Sequence, residues 1–305
     1  MRICITGANS FIGLSLLKRA SLLGWEVIAV VRPGSGKNII SNSYINTRVI
    51  ELDLEDYRKL GELAGPVDCA VMLAWNGTRG QARLDYSLQK SNCVNNISAV
   101  RSLISEGCNR IITAGSQAEY GVYYDEITEE TECKPITAYG CFKLSFYEEA
   151  RLLCHRKGIS LVEPRFFSLY GPGDYGNSLI MSSLRNMLEN APCKFTKAEQ
   201  MWDYLYIDDA VDAIIGLCKK SGANGVYNLG SGDRRPLNEY IQELKLILHS
   251  NSELLFGAIP YSPEGIVNIV PSIEKIKHEI EWKPRFSFEQ GIKRTCEELT
   301  GRFST

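Results

Sequence analysis

The chain has 305 residues, of which 44% are hydrophobic and 23% charged, with a formal net charge of −2 and a pI near 6.0. This composition is typical of a globular protein and favours neither nucleic acid nor an anionic membrane as a partner. No stretch approaches the roughly eighteen apolar residues of a spanning helix, and the first residues lack the pattern of a signal peptide. The ten cysteines are scattered without a CxxC pair, and only three histidines occur. We therefore expect a cytoplasmic protein without a metal site.

Strand and helix patterns alternate through the first half of the chain. Short apolar runs, several of them rich in Val and Ile, predict strands at residues 2–6, 26–31, 48–52, 68–73, 110–113 and 159–166. Helical periodicity lies between them, at residues 11–23, 88–105 and 139–155. This alternation predicts an α/β fold with a doubly wound parallel sheet, the Rossmann arrangement, in which helices cover both faces.

The pattern changes after Tyr170, where residues 171–174 form a turn cluster. Beyond it we expect a helix, two late strands that return to the sheet and an amphipathic helix, at residues 178–188, 204–207, 226–229 and 237–249. The remaining residues predict short, irregular helices. We therefore expect one Rossmann domain, made of residues 1–170 and 203–230. A smaller interleaved C-terminal domain would be made of residues 171–202 and 231–305.

A loop with two glycines follows the first strand directly and opens the first helix. Gly7 permits a tight turn, and Gly13 lets the helix pack closely on the sheet. The helix N-terminus then offers free backbone N–H groups and a positive dipole end to a pyrophosphate. The strand–turn–helix context favours a dinucleotide site over an ordinary glycine-rich turn. The residues expected to bind the cofactor here are Gly7, Asn9, Ser10, Phe11, Ile12 and Gly13.

The loop resembles that of the extended short-chain dehydrogenases, the group of NAD-dependent epimerases and dehydratases. Their usual pattern is TGxxGxxG, and this chain has TGANSFIG, with Ser10 at the middle glycine. NAD-specific relatives carry a carboxylate at the end of the second strand. Here Val31 stands at that position and is followed by Arg32, Ser35 and Lys37, which suit a ribose 2′-phosphate. We therefore expect NADP, with NAD less favoured; the alternative is a solvated basic loop.

The resemblance implies further cofactor contacts at the ends of other strands. An Asp-Leu pair after the third strand contacts adenine in the family, and the segment after the fourth strand lies along the cofactor. A helix asparagine lies near the cofactor ribose or the catalytic lysine. The corresponding positions in this chain, with one more at the end of the strand at 159–166, are Asp53, Leu54, Leu73, Ala74, Trp75, Asn92 and Phe166.

Tyr139 and Lys143 form a YxxxK motif on a predicted helix, where residues four apart share a face. A phenol has a reference pKa of about 10, and a nearby ammonium and a positive nicotinamide ring would lower it. Ser116 lies 23 residues earlier, in a segment that resembles the family's SSxxxYG region. The resemblance makes Ser116, Tyr139 and Lys143 the catalytic set. Tyr139 would be the acid or base, Ser116 would orient the substrate oxygen, and Lys143 would also bond the nicotinamide ribose.

Later motifs resemble the branch of the family that acts on nucleotide sugars. They are RFFSLYGPG at 165–173, WDYLYIDD at 202–209, YNLGSG at 227–232 and WKP at 282–284. A family arginine that often holds the nucleotide diphosphate is replaced by Trp202, which could stack on a base. The substrate domain would then be the smaller one, and the Rossmann domain would bind NADP. The expected substrate contacts are Trp75, Arg79, Ser116, Gln117, Ser168, Ser178, Leu179 and Trp202.

The residues after Ser116 bear on the reaction. Family dehydratases carry an Asp-Glu pair there, whereas this chain has Gln117 and Ala118, which disfavours a 4,6-dehydratase. Two enzymes remain: an NADPH-dependent reductase of a nucleotide-linked 4-keto-6-deoxy sugar and a sugar 4-epimerase. Residues 200–206 resemble 4-ketosugar reductases such as those that make abequose.

A non-catalytic dinucleotide-sensing regulator is a third alternative. It is disfavoured because such regulators usually lose the tyrosine or the lysine, and this chain keeps Tyr139 and Lys143. Relatives often dimerise through the two helices that correspond to residues 88–105 and 139–155. The resemblance therefore implies a homodimer.

Overall fold

The computed structural model describes residues 1–35, 40, 44, 46–261 and 267–300. The strands are β1 (Arg2–Thr6), β2 (Glu26–Val31), β3 (Thr47–Glu51), β4 (Cys69–Met72), β5 (Arg110–Thr113), β6 (Gly115–Ser116), β7 (Ser160–Phe166), β8 (Ser168–Tyr170), β9 (Cys193–Lys194), β10 (Met201–Trp202), β11 (Tyr204–Tyr206), β12 (Gly225–Leu229), β13 (Arg235–Pro236) and β14 (Leu254–Leu255). The helices are α1 (Phe11–Leu22), α2 (Leu60–Ala64), α3 (Tyr86–Ser105), α4 (Ala138–Lys157), α5 (Leu179–Leu188), α6 (Ile207–Lys219), α7 (Leu237–Ile247), α8 (Glu274–Ile280) and α9 (Phe288–Thr300). Short 3-10 turns lie at Leu54–Lys59, Gly80–Leu84 and Gln117–Glu119.

Parallel strands form the main sheet, in the order β12–β7–β5–β4–β1–β2–β3, and β6 pairs with the end of β7. The predicted Rossmann-like α/β fold is therefore confirmed. The strand order reverses between β1 and β4, so the connections leave the sheet in opposite directions there. In open α/β sheets this reversal opens a crevice at the carboxyl ends of the strands, where ligands bind.

The central strands β1, β2 and β4 are buried on both faces, which explains why they are nearly continuous apolar runs rather than alternating ones. Side chains of successive residues point to opposite faces. In β1, Ile3 and Ile5 pack into the core that includes α1 and α6, while Cys4 packs into the core that includes α3 and α4. In the described parts of the chain, none of the helices combines the length and the hydropathy needed to cross a membrane.

One predicted strand has a different partner from the one expected. The strand predicted at 204–207 is β11, and it pairs in parallel with β8 rather than returning to the main sheet. Only β12 returns, beside β7. The chain enters β11 at Asp203, whose buried carboxylate accepts hydrogen bonds from the backbone N–H groups of Ser231 (2.6 Å) and Gly232 (2.7 Å). Because the local pattern contains no information on pairing partners, the sequence identified the strand but misplaced it.

Side chains cap the four helices that begin beside the crevice. Ser10 accepts from Gly13 N at 3.1 Å at the start of α1, and Thr137 accepts from Gly140 N at 3.1 Å at the start of α4. Asp85 and Ser178 cap α3 and α5 in the same way. Each cap satisfies a backbone donor that the first turn of a helix leaves free. The polar residues before each helix therefore set where it begins, and with it the positions of the residues on its first turns.

Candidate active site

The loop between β1 and α1 leaves no space for side chains at its two glycines. A Cβ on Gly13 would lie 2.2 Å from Gly7 O and 2.8 Å from the backbone carbon of Ala8. Gly7 has φ +65°, and a Cβ there would lie 3.1 Å from Ala74 N. The loop is therefore a tight backbone cradle at a helix N-terminus, which fits a dinucleotide pyrophosphate. Ser10 occupies the middle glycine position, where its hydroxyl caps α1 as described above.

A cleft of about 160 Å³ extends from this loop across the ends of β2, β3 and β4. It brings together nine of the predicted cofactor residues, which are Gly7, Asn9, Ser10, Arg32, Asp53, Leu54, Leu73, Ala74 and Trp75. Four further residues also line it: Val30, Leu52, Tyr57 and Asn76. Asn76 belongs to the segment after β4 that was expected to lie along the cofactor, whereas Tyr57 lies in the turn Leu54–Lys59 and was not predicted.

Arg32, one of the predicted 2′-phosphate residues, lines this cleft. Arg32 is exposed and donates a hydrogen bond to Asn76 Oδ1 at 2.9 Å. The Asn9 amide donates to Ser35 O at 2.7 Å and to Ser35 Oγ at 2.9 Å, so the two loops are joined. Lys37 lies outside the described residues.

A carboxylate that the sequence analysis did not consider lies at the same loop. Glu51, at the end of β3, accepts a 3.1 Å hydrogen bond from Gly34 N. Glu51 therefore binds the loop that follows β2 and carries Arg32, although the end of β2 itself carries no carboxylate. Glu51 is exposed, so water screens its charge.

Three buried amides of α3 hold the loop that follows β4. Gln89 Oε1 accepts from the Trp75 indole N–H at 2.6 Å. Asn92 accepts from Asn76 N at 3.1 Å and donates to Asn76 O at 2.8 Å, and Asn96 donates to Ala74 O at 3.2 Å. Asn92 thus lies behind the cleft and supports Asn76, rather than lining the cleft itself as a direct cofactor contact would.

A second cavity, of about 420 Å³, adjoins the first and shares Leu73 and Trp75 with it. All eight predicted substrate residues line it, which are Trp75, Arg79, Ser116, Gln117, Ser168, Ser178, Leu179 and Trp202. Phe11, Ile12 and Phe166, predicted as cofactor residues, line this cavity as well. Thr78, from the segment after β4 that was expected to lie along the cofactor, lines it too. Four other polar or aromatic residues of its wall were not predicted, which are Arg83, Phe167, Asp174 and Tyr204.

Ser116, Tyr139 and Lys143 lie together on one wall of the second cavity. Ser116 ends β6 and caps the turn Gln117–Glu119, while Tyr139 and Lys143 are one turn apart near the start of α4. Tyr139 and Lys143 are buried. The Lys143 ammonium donates to Ala114 O at 2.8 Å and lies 4.0 Å from the centre of the Trp75 ring. A phenol, a hydroxyl and an ammonium thus meet at one point of the cavity.

Burial determines the acid–base properties of this set. It raises the pKa of the Tyr139 phenol, while a hydrogen bond with Ser116 lowers that pKa. The charge of Glu119 also raises it, and Arg83 and Arg79 lower it. Burial likewise lowers the pKa of Lys143 to about 8. Burial outweighs the surrounding charges, so the pKa of the phenol is raised. The lowering expected from the ammonium together with a positive nicotinamide ring stays a prediction.

Glu119 turns away from the cavity. Its carboxylate accepts from Ser116 N at 2.7 Å and pairs with Arg165 at 3.0 Å, and it is fully buried beside Glu163. It does not line the cavity. The described residues contain no group of three or more His, Cys, Asp or Glu side chains that could hold a metal ion.

Asp209, part of an acidic pair in the sequence, has a structural role. Its buried carboxylate accepts from the backbone N–H groups of Arg285 (2.9 Å) and Phe286 (3.1 Å), and its carbonyl accepts from the Trp282 indole at 3.1 Å. The residue therefore ties the segment before α9 to the start of α6, and it does not reach the cavity.

Comparisons with known proteins agree with this geometry. CDP-abequose synthase of Salmonella muenchen is 24% identical over 297 residues, which cover 96% of each chain. The structure of UDP-glucose 4-epimerase from Thermotoga maritima with UDP-glucose superposes with a TM-score of 0.89, at 24% identity and 99% coverage of each chain. That of UDP-glucuronic acid 4-epimerase from Bacillus cereus in complex with NAD gives 0.82, at 21% identity and 99% coverage of each chain. These likenesses show the same fold.

The model of the NAD dependent epimerase/dehydratase family matches residues 3–230, which include the glycine loop, Ser116, Tyr139 and Lys143. That span also contains β1 from Ile3 onwards, the strands β2 to β7 and β12 up to its end at Leu229. The chain therefore belongs to the NAD dependent epimerase/dehydratase family, as its motifs predicted, and is an NAD(P)-dependent oxidoreductase or epimerase of the extended short-chain dehydrogenase type.

Proposed function

We propose that this protein reduces a nucleotide-linked 4-keto-6-deoxy sugar with NADPH, and that Tyr139 is the acid. The observation that carries the proposal is the meeting of Tyr139, Ser116 and Lys143 on the wall of a cavity that opens into the dinucleotide cleft through Leu73 and Trp75. A keto oxygen in this cavity would lie within reach of two hydroxyl donors. The substrate of a reductase is already a ketone, so the enzyme does not need the acidic pair that dehydratases carry beside the residue equivalent to Ser116.

The residues around the first cleft fit a dinucleotide. Gly7, Gly13 and the start of α1 would hold the pyrophosphate, Asp53 and Leu54 the adenosine, and Lys143 the nicotinamide ribose. The reduced nicotinamide, when bound, supplies the hydride. NADP is favoured over NAD because Val31 rather than a carboxylate ends β2, and because Arg32 and Ser35 stand at the mouth of the cleft. The relative from Bacillus cereus was solved with NAD, so the preference needs its own measurement.

The chain's own groups would complete the reduction. As the keto carbon becomes a carbinol carbon, its oxygen gains negative charge, and Tyr139 gives that oxygen its phenolic proton. Ser116 donates a hydrogen bond to the same oxygen and orients it. The raised pKa of the phenol suits this direction, because a phenol that keeps its proton at neutral pH is ready to act as an acid.

The far end of the second cavity would hold the nucleotide and its diphosphate. Ser178 and Leu179 lie at the start of α5, whose N-terminal N–H groups suit an anion. Trp202 would stack on the base; its indole Nε1 is buried and has no hydrogen-bond partner among the described residues. In this assignment residues 1–170 and 203–230 bind NADP, and residues 171–202 and 231–305 bind the sugar nucleotide. The catalytic cavity lies where the two sets meet.

The test is a stoichiometry measurement. Purified protein, NADPH and a nucleotide-linked 4-keto-6-deoxy sugar are mixed, and the loss of NADPH absorbance is followed together with product formation. One NADPH oxidised per sugar reduced supports the proposal. Interconversion of a 4-hydroxy sugar with its epimer, without net consumption of the cofactor, would instead establish the second candidate, a nucleotide-sugar 4-epimerase. The name of the matched family favours that candidate. Tight cofactor binding without any turnover would point to a non-catalytic regulator.

We also propose that the protein is a cytoplasmic homodimer. The outer faces of α3 and α4 carry exposed apolar side chains, among them Tyr86 (63% exposed), Val94 (55%) and Leu152 (49%). A charge in the middle of this face should separate the protomers, so the Val94→Glu variant should elute as a monomer with attached light scattering while the wild type elutes as a dimer. A wild-type monomer would contradict the proposal. The ten cysteines are all free thiols, as in a reducing compartment.

A further inference from the structure

A second cation lies on the ring of Tyr139. Arg83 belongs to the turn Gly80–Leu84, and the central carbon of its guanidinium is 4.8 Å from the centre of the Tyr139 ring. The Lys143 ammonium is farther from that centre, at 6.0 Å. No motif in the sequence identifies Arg83, because its contact with Tyr139 joins two residues that are 56 positions apart in the chain.

Arg83 differs from the neighbouring arginine in how its charge is balanced. Arg79 forms an ion pair with Asp174 at 3.1 Å, and the Asp174 side chain is 1% exposed. Arg83 is half-buried, and within the described part of the chain no carboxylate forms an ion pair or hydrogen bond with it. The Arg83 charge is therefore available to the ring that it covers.

Arg83 also lies beside the reacting end of the cavity. It lines both the catalytic cavity and a smaller adjoining cleft that includes Gln117 and Thr137. Its guanidinium covers the Tyr139 ring, and it shares both cavities with Gln117, the residue after Ser116. From this position a cation over the ring can act on the phenol without touching the cofactor cleft.

The interaction is stronger when the phenol has lost its proton. A cation is attracted by the electron-rich face of an aromatic ring, and phenolate carries a full negative charge that increases this attraction. We propose that Arg83 is a positioning residue of the reaction, which holds the Tyr139 ring and stabilises the negative charge left on it when the phenolic proton passes to the substrate oxygen. This inference rests on the proposed acid–base role of Tyr139.

The other charged groups around Tyr139 are less suited than Arg83 to stabilise the phenolate. Glu119, from the turn after Ser116, disfavours phenolate. Arg79 favours it, but Asp174 offsets its charge. Lys143, on the same helix as Tyr139, has a pKa lowered to about 8, so it is partly neutral at mildly alkaline pH. A guanidinium group is not deprotonated in proteins.

The test measures the ionisation of Tyr139 directly in the protein saturated with NADP. Tyrosinate absorbance is titrated in the wild type, Arg83→Gln, Arg83→Met and Arg83→Lys, and each curve is compared with that of the same protein carrying Tyr139→Phe. The difference isolates the Tyr139 step. We expect this step to move to higher pH in the Gln and Met variants and to return towards the wild-type position in the Lys variant. Arg294→Gln, an exposed arginine on α9, is the control and should leave it unchanged.

Kinetics provide the second measurement. In Arg83→Gln the alkaline limb of the pH profile of kcat should move to higher pH and kcat at pH 7 should fall several-fold, with KM little changed. A Tyr139 step at the same pH in wild type and Arg83→Gln would overturn the inference, and so would a rise in KM alone, which would place Arg83 on the substrate. Because the titration does not depend on turnover, it tests the effect of Arg83 on the ionisation of Tyr139 even if the proposed reaction is wrong. Failure of the proposed function itself would appear separately, as normal turnover in Tyr139→Phe.

Discussion

Arg32 and Asn76 are joined by a 2.9 Å hydrogen bond that spans the mouth of the dinucleotide cleft. Asn76 is held in turn by Asn92, which bonds both its backbone N–H and its carbonyl. The guanidinium at the end of β2 is therefore positioned by a buried amide on α3. These hydrogen bonds hold the Arg32 side chain in one position beside the expected ribose, whereas a side chain on a solvated loop would not be held.

Arg32→Ala should reduce the preference for NADPH over NADH by about 1–3 kcal/mol, the range for a hydrogen bond to a charged group. The affinity for NADH should change little, because NADH lacks the 2′-phosphate that Arg32 is expected to contact. Fluorescence titration of both cofactors measures the two dissociation constants, and Arg294→Ala on α9 serves as the control for a lost surface charge. Equal affinities of the wild type for the two cofactors would contradict the assignment of Arg32.

Tyr139→Phe should lower turnover by roughly a hundredfold or more, the contribution of a general acid, while leaving cofactor affinity near that of the wild type. The matched control is Tyr147→Phe, which removes the same atom from a buried tyrosine two turns along α4 that does not line the cavity. The two variants are compared by kcat and by cofactor titration. Near-normal kcat in Tyr139→Phe would remove the phenol from the mechanism.

Gly13→Ala should disrupt the cradle between β1 and α1. The new Cβ would lie 2.2 Å from Gly7 O, a backbone atom that cannot rotate away, so the loop must shift. We expect a loss of about 1–3 kcal/mol in the free energy of unfolding and a loss of cofactor affinity. Gly222→Ala is the control, because nothing lies within 4 Å of its Cβ, and it should change the stability by less than about 0.5 kcal/mol. Unchanged cofactor affinity in Gly13→Ala would argue against a pyrophosphate site at this loop.

Lys143 should make stability depend on pH in a defined window. Its pKa is lowered by burial from 10.5 to about 8, so between these values the unfolded chain binds more protons than the folded one. Stability should therefore rise with pH across this window, and the cost of the buried ammonium is fully present below pH 8. Relative to Lys143→Met, the wild type should gain about 2 kcal/mol on going from pH 8 to pH 9.5, at 1.36 kcal/mol per unit. Urea unfolding of both proteins measures the difference, and a constant difference across the window would show that the lysine is not desolvated.

Much of the architecture could be predicted from the sequence because its signals are local. The apolar runs identified the strands of the parallel sheet, and the caps at Ser10 and Ser178 stand where their helices begin. The glycines of the first loop could be recognised because only a residue without a Cβ fits there. The spacing of Tyr139 and Lys143 predicted that they share a helix face, and the structure places both on one cavity wall.

Contacts between distant segments were decided only by the tertiary structure. The sequence could not place Arg83 on the Tyr139 ring, Asn76 beside Arg32, or β11 beside β8, because each pair is separated by many residues and has no shared periodicity. The pKa of Tyr139 was likewise decided only by the tertiary structure. The sequence shows the ammonium one turn away, but only the fold shows that the phenol is buried, and desolvation outweighs the nearby charges. Local patterning thus determines the elements and the reactive groups, whereas packing determines which groups meet and in which protonation state.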